Sequence, residues 1–162
     1  MNRIVNVALA LIWIFVSGCQ TRLNEQHGID RIVLNELSGE PIDLDQYRGK
    51  TIFINIWATW CKPCIEEMPS IEKAQSILQD RDIVFLLASD EEKERITSFV
   101  SKRQTGLHYV QVQNLEEIGV QVLPVTYIIN SRGETAFSEA GYRRWDDPSN
   151  LELLKKIIDD RE

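Results

Sequence analysis

The residues with the most chemical potential in this 162-residue chain lie in one run, Trp57-Ala58-Thr59-Trp60-Cys61-Lys62-Pro63-Cys64. It falls where an apolar, β-branched stretch gives way to helical spacing, and a Cys-x-x-Cys at such a junction reads as a redox pair. With Cys61 at a helix N-terminus and Cys64 one turn inside, the two sulfurs can meet within disulfide geometry. At that end, unpaired backbone N–H groups and the positive end of the macrodipole favour a thiolate and lower the Cys61 pKa below the free value of about 8.5. Lys62 pushes the same way. Cys61 is therefore expected to be exposed and to attack, and Cys64 to be shielded and to resolve the mixed disulfide. Pro63 costs no helix hydrogen bond, because its missing N–H would be unpaired in the first turn anyway. Two other readings stay open here. A structural disulfide normally closes a longer loop. A zinc site would need Cys19, His27 or His108, none of which is paired at ligand spacing.

The elements that must hold this run alternate along the chain. Residues 32–37 alternate apolar and polar side chains like a strand, and Ser38-Gly39-Glu40-Pro41 is a turn leading to Ile42 and Leu44. Residues 51–57 (TIFINIW) are almost free of polar side chains, as expected for a central strand buried on both faces. From Cys61 to about Leu78 apolar positions recur at three and four, which predicts a helix, kinked at Pro69. Residues 83–88 form a second buried strand, and Ser89 or Asp90 can cap a helix through Gln104 whose apolar stripe uses Ile96, Phe99 and Val100. The run Asp90-Glu91-Glu92-Lys93-Glu94-Arg95 reads as a solvated first turn with no function of its own. A short strand at 107–112, a helical turn at 114–119 ended by Gly119, a hairpin of strands 125–129 and 134–139 around Ser131-Arg132-Gly133, and an amphipathic helix over 148–158 complete the pattern. The order predicts an α/β fold whose sheet ends in antiparallel strands.

The N-terminus follows a different rule. Residues 4–16 carry no charge and no proline. At ~1.5 Å per residue they make a helix of roughly 20 Å, short of the ~30 Å hydrocarbon core. A signal peptide over residues 1–18 fits better. Val16-Ser17-Gly18-Cys19 resembles the bacterial lipobox, in which the signal is cut before the cysteine and the thiol is acylated. Cys19 is then a lipidation site, residues 19–28 a polar tether, and 29–162 a single domain. An extracytoplasmic, membrane-anchored location follows, and Gln20 after the cysteine leans towards the outer membrane by resemblance to Gram-negative sorting rules.

Two further segments carry a family resemblance. WCKPC followed about sixty residues later by Pro124, ahead of Thr126-Tyr127-Ile128-Ile129-Asn130, resembles the thioredoxin fold: a central mixed β-sheet flanked by helices, here with an N-terminal strand extension. From the residues alone Pro124 is a trans proline at the start of a strand. The resemblance implies instead a cis proline facing the cysteine pair, with Leu123 offering its backbone to an extended substrate segment. The segment NIWATWCKPCIEEMPSIEK resembles the extracytoplasmic TlpA-like branch, including members serving cytochrome c maturation, and the likeness covers about residues 32–160. Asn55 stands where thioredoxins carry a buried aspartate. Glu67, three residues after Cys64, matches the glutamate of the branch's Cys-x-x-Cys-x-x-Glu-x-Pro pattern. It could accept the Cys64 proton or raise that thiol's pKa. Trp60 is expected to be exposed beside Cys61 as a docking surface, and Trp57 to pack in the core.

The combined expectation is a thiol-disulfide oxidoreductase, with Cys61, Cys64 and Glu67 in the chemistry and Trp60, Leu123 and Pro124 at the substrate. It needs no cofactor and no metal. Its partners would be protein disulfides and a membrane electron donor. With 18 basic against 25 acidic residues and a formal charge of −7, the surface would repel a phosphate backbone, which argues against nucleic acid. Lys62-Pro63 lacks the histidine of strong thiol oxidants, which favours a reductase over an oxidant. A peroxiredoxin-type peroxidase would set its cysteine in Thr-x-x-Cys, whereas Thr59 lies two residues before Cys61. A copper- or apoprotein-binding module would use the same cysteines as soft ligands.

Overall fold

The computed structural model describes residues 31–160, so the signal peptide expected over 1–18, Cys19 and the whole tether expected over 19–28 lie outside the described residues. One seven-stranded mixed sheet has the order β2-β1-β5-β4-β3-β6-β7. Its strands are β1 (Leu34–Glu36), β2 (Pro41–Ile42), β3 (Thr51–Ile56), β4 (Ile83–Ser89), β5 (His108–Val112), β6 (Val125–Ile129) and β7 (Thr135–Ala140). The helices are α1 (Lys62–Ile77), α2 (Lys93–Val100) and α3 (Pro148–Asp159). Strands β3, β4 and β5 run parallel, and antiparallel pairs close both sides: β1 on β5, and β6 on β3.

Strand β3 is buried along its whole length, as its apolar run requires. It is not the middle strand. The N-terminal β1–β2 pair extends the sheet beyond β5, and β4 takes the centre. Alternation along β3 splits the interior in two. Phe53 and Trp57 face a core that takes Ile71 and Ala74 of α1, Ile96 of α2 and Leu154, Ile157 and Ile158 of α3. Ile52, Ile54 and Ile56 face the other, which is covered by Leu44 and Tyr47 of a short 3-10 turn and by Leu115, Ile118 and Val120 of the β5–β6 connection.

Several boundaries differ from the sequence expectation for local reasons. Helix α1 continues past Pro69, whose ring sits on the exposed face, where water can satisfy the carbonyl left unpaired. Helix α2 is shorter at both ends than the span from Ser89 to Gln104. Its N-cap is Glu92, because Ser89 completes β4. Residues 114–119 form hydrogen-bonded turns ending at Gly119, whose φ of 76° permits the reversal. The sheet end nearest the cysteines is fixed by register: Ile56 at the end of β3 pairs with Val125 at the start of β6. This puts Pro124 and the run after Ile56 at the same edge.

Candidate active site

The site begins where the β3 ladder ends. Trp57 N–H still donates to the Ala88 carbonyl at 3.0 Å, and then Ala58-Thr59-Trp60-Cys61 closes a turn in which Cys61 N–H donates to the Ala58 carbonyl at 3.1 Å. The turn delivers Cys61 to the N-cap of α1 with extended backbone, and its Sγ accepts the Cys64 N–H at 3.3 Å. Pro63 occupies the first turn. Cys61 and Cys64 are disulfide-bonded with Cα atoms 5.3 Å apart.

One expectation is corrected here. Cys61 is only 4% exposed, hardly more than Cys64 at 0%, because the bonded sulfur folds back over the first turn of α1. The exposed group is its neighbour Trp60, at 70%. Trp57 is fully buried, between Phe99 and Tyr109. The Leu123–Pro124 peptide bond is cis; Pro124 is buried and Leu123 half-buried. Leu123 packs against the cluster that holds both cysteines. Lys62 reaches Glu66 at 3.7 Å on the surface.

Glu67 lies one turn beyond Cys64 on the same face of α1 and is completely buried. No cation side chain bonds it. Oε1 accepts Asn55 Nδ2 at 2.6 Å and Trp145 Nε1 at 3.4 Å, and Oε2 accepts the Arg143 backbone N–H at 3.0 Å. Burial pushes its pKa up to about 7, against the downward pull of the Arg143 N–H, Trp145 and Asn55 bonds. Asn55 Nδ2 also donates to Thr126 Oγ1 at 3.0 Å, so one amide joins the buried carboxyl to the strand that follows Pro124. The strand position that lacks an aspartate thus supports a carboxyl supplied by the helix. Trp145 and Arg143, from the β7–α3 connection, carried no sequence signal for this role. Ser70 was equally silent: its Oγ donates to the Glu67 carbonyl and accepts the Trp145 N–H.

On the other side of the turn, Glu91 leaves the solvated run assigned to it from the sequence. Its side chain is 8% exposed. The carboxylate accepts Thr59 N–H at 2.6 Å and Thr59 Oγ1–H at 2.8 Å. His108 is paired through Nε2 with Glu36 on the neighbouring strand, away from the cysteines in sequence and sheet position. Among the described residues no group of three or more His, Cys, Asp or Glu is gathered as a metal site would need.

A disulfide across the first turn of a helix, at the edge of a mixed sheet and beside a cis-proline strand, defines a thioredoxin-fold thiol-disulfide oxidoreductase of the TlpA type. Comparison with known proteins agrees. The chain belongs to the Redoxin family, whose profile matches residues 26–154. A thiol-disulfide oxidoreductase ResA from Halalkalibacterium halodurans is 31% identical over 138 residues, covering 81% of this chain and 77% of the relative. Another ResA, from Geobacillus thermodenitrificans, is 36% identical over 106 residues, and that match spans 63% of this chain and 61% of the relative's length. In structure, an exposed lipoprotein thioredoxin from Streptococcus pneumoniae superposes with a TM-score of 0.66 at 22% identity, over 76% of this chain and 97% of the other.

Proposed function

We propose that this protein is a membrane-anchored extracytoplasmic reductase of specific protein disulfides, of the kind that serves cytochrome c maturation. The observation that carries the reading is the Cys61–Cys64 bond at the N-cap of α1, with buried Glu67 one turn beyond Cys64. In the reduced protein, the Cys61 thiolate attacks a client disulfide. A Cys61–client mixed disulfide forms, and one client sulfur leaves as a thiolate and takes up a proton. Cys64 then loses its proton to Glu67 and attacks the Cys61 sulfur, which restores the Cys61–Cys64 disulfide and releases the second client thiol. Two electrons pass to the client, and a donor must return them. Glu67 suits the second step because its pKa of about 7 lets it take and release a proton near neutrality. Trp60 offers an exposed aromatic surface to the client, and Leu123 its backbone beside Pro124. The lipobox-like Val16-Ser17-Gly18-Cys19 supports the anchor at Cys19, with the domain starting at residue 29.

The test is the reduction potential of the Cys61–Cys64 couple, read by equilibration against glutathione. A value near or below roughly −270 mV supports the reductase, and one near about −120 mV would make the protein a disulfide donor instead. A Cys64→Ala variant should trap the client as a mixed disulfide with Cys61, which identifies it by mass spectrometry. Cys19→Ala should move the protein from the membrane to the soluble extracytoplasmic fraction.

A further inference from the structure

The turn that delivers Cys61 is bonded to more than its own backbone. Thr59, its second residue, donates both its N–H and its hydroxyl to the two oxygens of Glu91, which lies 32 positions later in the β4–α2 connection. The carboxylate is in turn held by Arg95 Nη1 at 3.2 Å, from the first turn of α2, and by Ser89 Oγ at 3.4 Å, at the end of β4. The backbone of Glu91 is fixed as well, since its N–H donates to Ser89 Oγ at 3.3 Å and its carbonyl accepts Gln111 Nε2 of β5 at 3.0 Å. A nearly buried acid beside a helix start would ordinarily cap that helix. Here the cap position belongs to Glu92, which makes no side-chain capping bond, and Glu91 turns to Thr59 instead.

We propose that Glu91 is a positioning residue for the nucleophile: it clamps the Ala58–Cys61 turn to β4, β5 and α2, and thereby holds Cys61 Sγ on the Cys64 N–H at the start of α1. The proposal rests on the reading of Cys61 as the attacking sulfur. A bidentate carboxylate fixes two donors of one residue at once, and bonds to a charged acceptor are the stronger kind. Without it, the Thr59 N–H and hydroxyl must find water, and the turn gains freedom that Cys61 shares. A thiolate that leaves the helix start loses the field of the unpaired amides there. The clamp persists at neutral pH. Burial opposes ionisation of Glu91, but the Thr59 N–H, the Thr59 hydroxyl and Arg95 outweigh it and hold the carboxyl below its ordinary range.

Positioning and simple electrostatics predict opposite signs. Glu91 is a negative charge bonded to Thr59, two residues before Cys61, and the other charged groups around the turn are Lys62 with its partner Glu66, buried Glu67, and Arg95. Removing that charge alone would make Cys61 more acidic and faster. Releasing the turn makes it less acidic and slower.

The experiment is the rate of iodoacetamide alkylation of Cys61 in the fully reduced protein between pH 5 and 9, with the labelled residue identified by mass spectrometry. Glu91→Ala should slow alkylation at pH 7 about 5- to 10-fold and move the midpoint of the profile up by about one unit, because thiolate fraction sets the rate. Glu91→Asp, which can reach one Thr59 donor, should recover part of the loss. An unchanged or accelerated rate would overturn the proposal. If Glu91→Ala does not fold, Thr59→Val reads the same clamp through the hydroxyl alone and should slow alkylation about 2-fold; no change there also overturns it. The wild-type profile separates the two layers of argument. A wild-type Cys61 that titrates like a free thiol, near about 8.5, removes the reading of Cys61 as an activated nucleophile, whereas an activated wild type with indifferent variants removes only the clamp.

Discussion

Glu67 and Glu91 stand on opposite sides of the same cysteine turn, both shielded from water, and their pKa values move in opposite directions. Burial pushes both upwards, so burial does not separate them. The difference lies in what each carboxylate accepts. Glu91 receives one N–H and one hydroxyl from Thr59 and the charge of Arg95, and ionisation wins. Glu67 receives an amide, an indole and a backbone N–H, all neutral, and the Arg143 guanidinium turns away to Glu139 and Asn150. Three neutral bonds do not repay the loss of water, and the pKa settles at about 7. A permanently ionised acid can hold a loop, and an acid poised near neutrality can carry a proton. The two carboxylates are built for different tasks by the partners each one accepts.

The harshest way to break this contrast is Asn55→Asp, which sets a second carboxyl 2.6 Å from Glu67 Oε1. Near pH 5 the two groups can share a proton and the variant should be close to wild type in stability. At pH 8, with both forced towards ionisation, it should lose about 3–5 kcal/mol, the usual cost of an uncompensated buried charge. Urea unfolding at the two pH values measures it, and equal losses at both would mean that the amide, not its neutrality, matters.

Glu67→Gln comes next. A carboxyl whose pKa rises from 4.5 to about 7 on folding stabilises the fold fully below 4.5, and that contribution is lost as pH rises through 7. The stability of Glu67→Gln relative to wild type should therefore climb between pH 4 and pH 8, by about 3 kcal/mol at most, since each unit is worth about 1.4 kcal/mol. The same variant should lose the step near pH 7 in the pH dependence of disulfide exchange. Parallel stability curves for the two proteins would place the titration elsewhere.

How much of this was legible from residues alone depended on whether the signal was local. Strands 51–56 and 125–129, helix α3 and the Cys61–Cys64 pair all advertise themselves by periodicity or spacing within a few positions. Glu67 was legible only through the family pattern, and its surroundings were not, because Asn55, Arg143 and Trp145 are 12, 76 and 78 positions away and meet it only after the sheet and the β7–α3 connection are in place. Glu91 was misread for the same reason. Six consecutive residues from Asp90 to Arg95, all of them acidic or basic, look like a solvated turn, and nothing nearby in sequence shows that one of them bends back to Thr59. The exposure expected of Cys61 failed on a different count, since the disulfide itself folds that sulfur inwards.

The acid side of the comparison is sharpened by Glu91→Gln. A carboxyl held below its ordinary value contributes stability that is present above 4.5 and disappears as pH falls through its depressed folded pKa. Wild type should exceed Glu91→Gln in stability at pH 6 and converge with it in acid, the reverse of the trend for Glu67. Thermal unfolding across pH 2.5–6 would show the convergence, and a constant gap would assign the effect of Gln to packing.

The finest cut is at Thr59, where the two donors of the clamp can be separated by one atom. Thr59→Val keeps the shape and the N–H bond to Glu91 but removes the hydroxyl bond at 2.8 Å. A bond to a charged acceptor contributes about 1.5–3 kcal/mol when intact. Here Glu91 is left with Arg95, Ser89 and the Thr59 N–H, so the loss should sit at or below the lower end, about 1 kcal/mol. Thr59→Ser keeps both donors and drops only a methyl group, so it should remain within about 0.5 kcal/mol of wild type. The pair matters more than either member. If Val and Ser are equally destabilised, the methyl group and its packing hold the turn and the carboxylate is incidental. A loss confined to Val, present at pH 6 and vanishing in acid together with the charge on Glu91, would tie the hydroxyl to the ionised carboxylate and the turn before Cys61 to the β4–α2 connection.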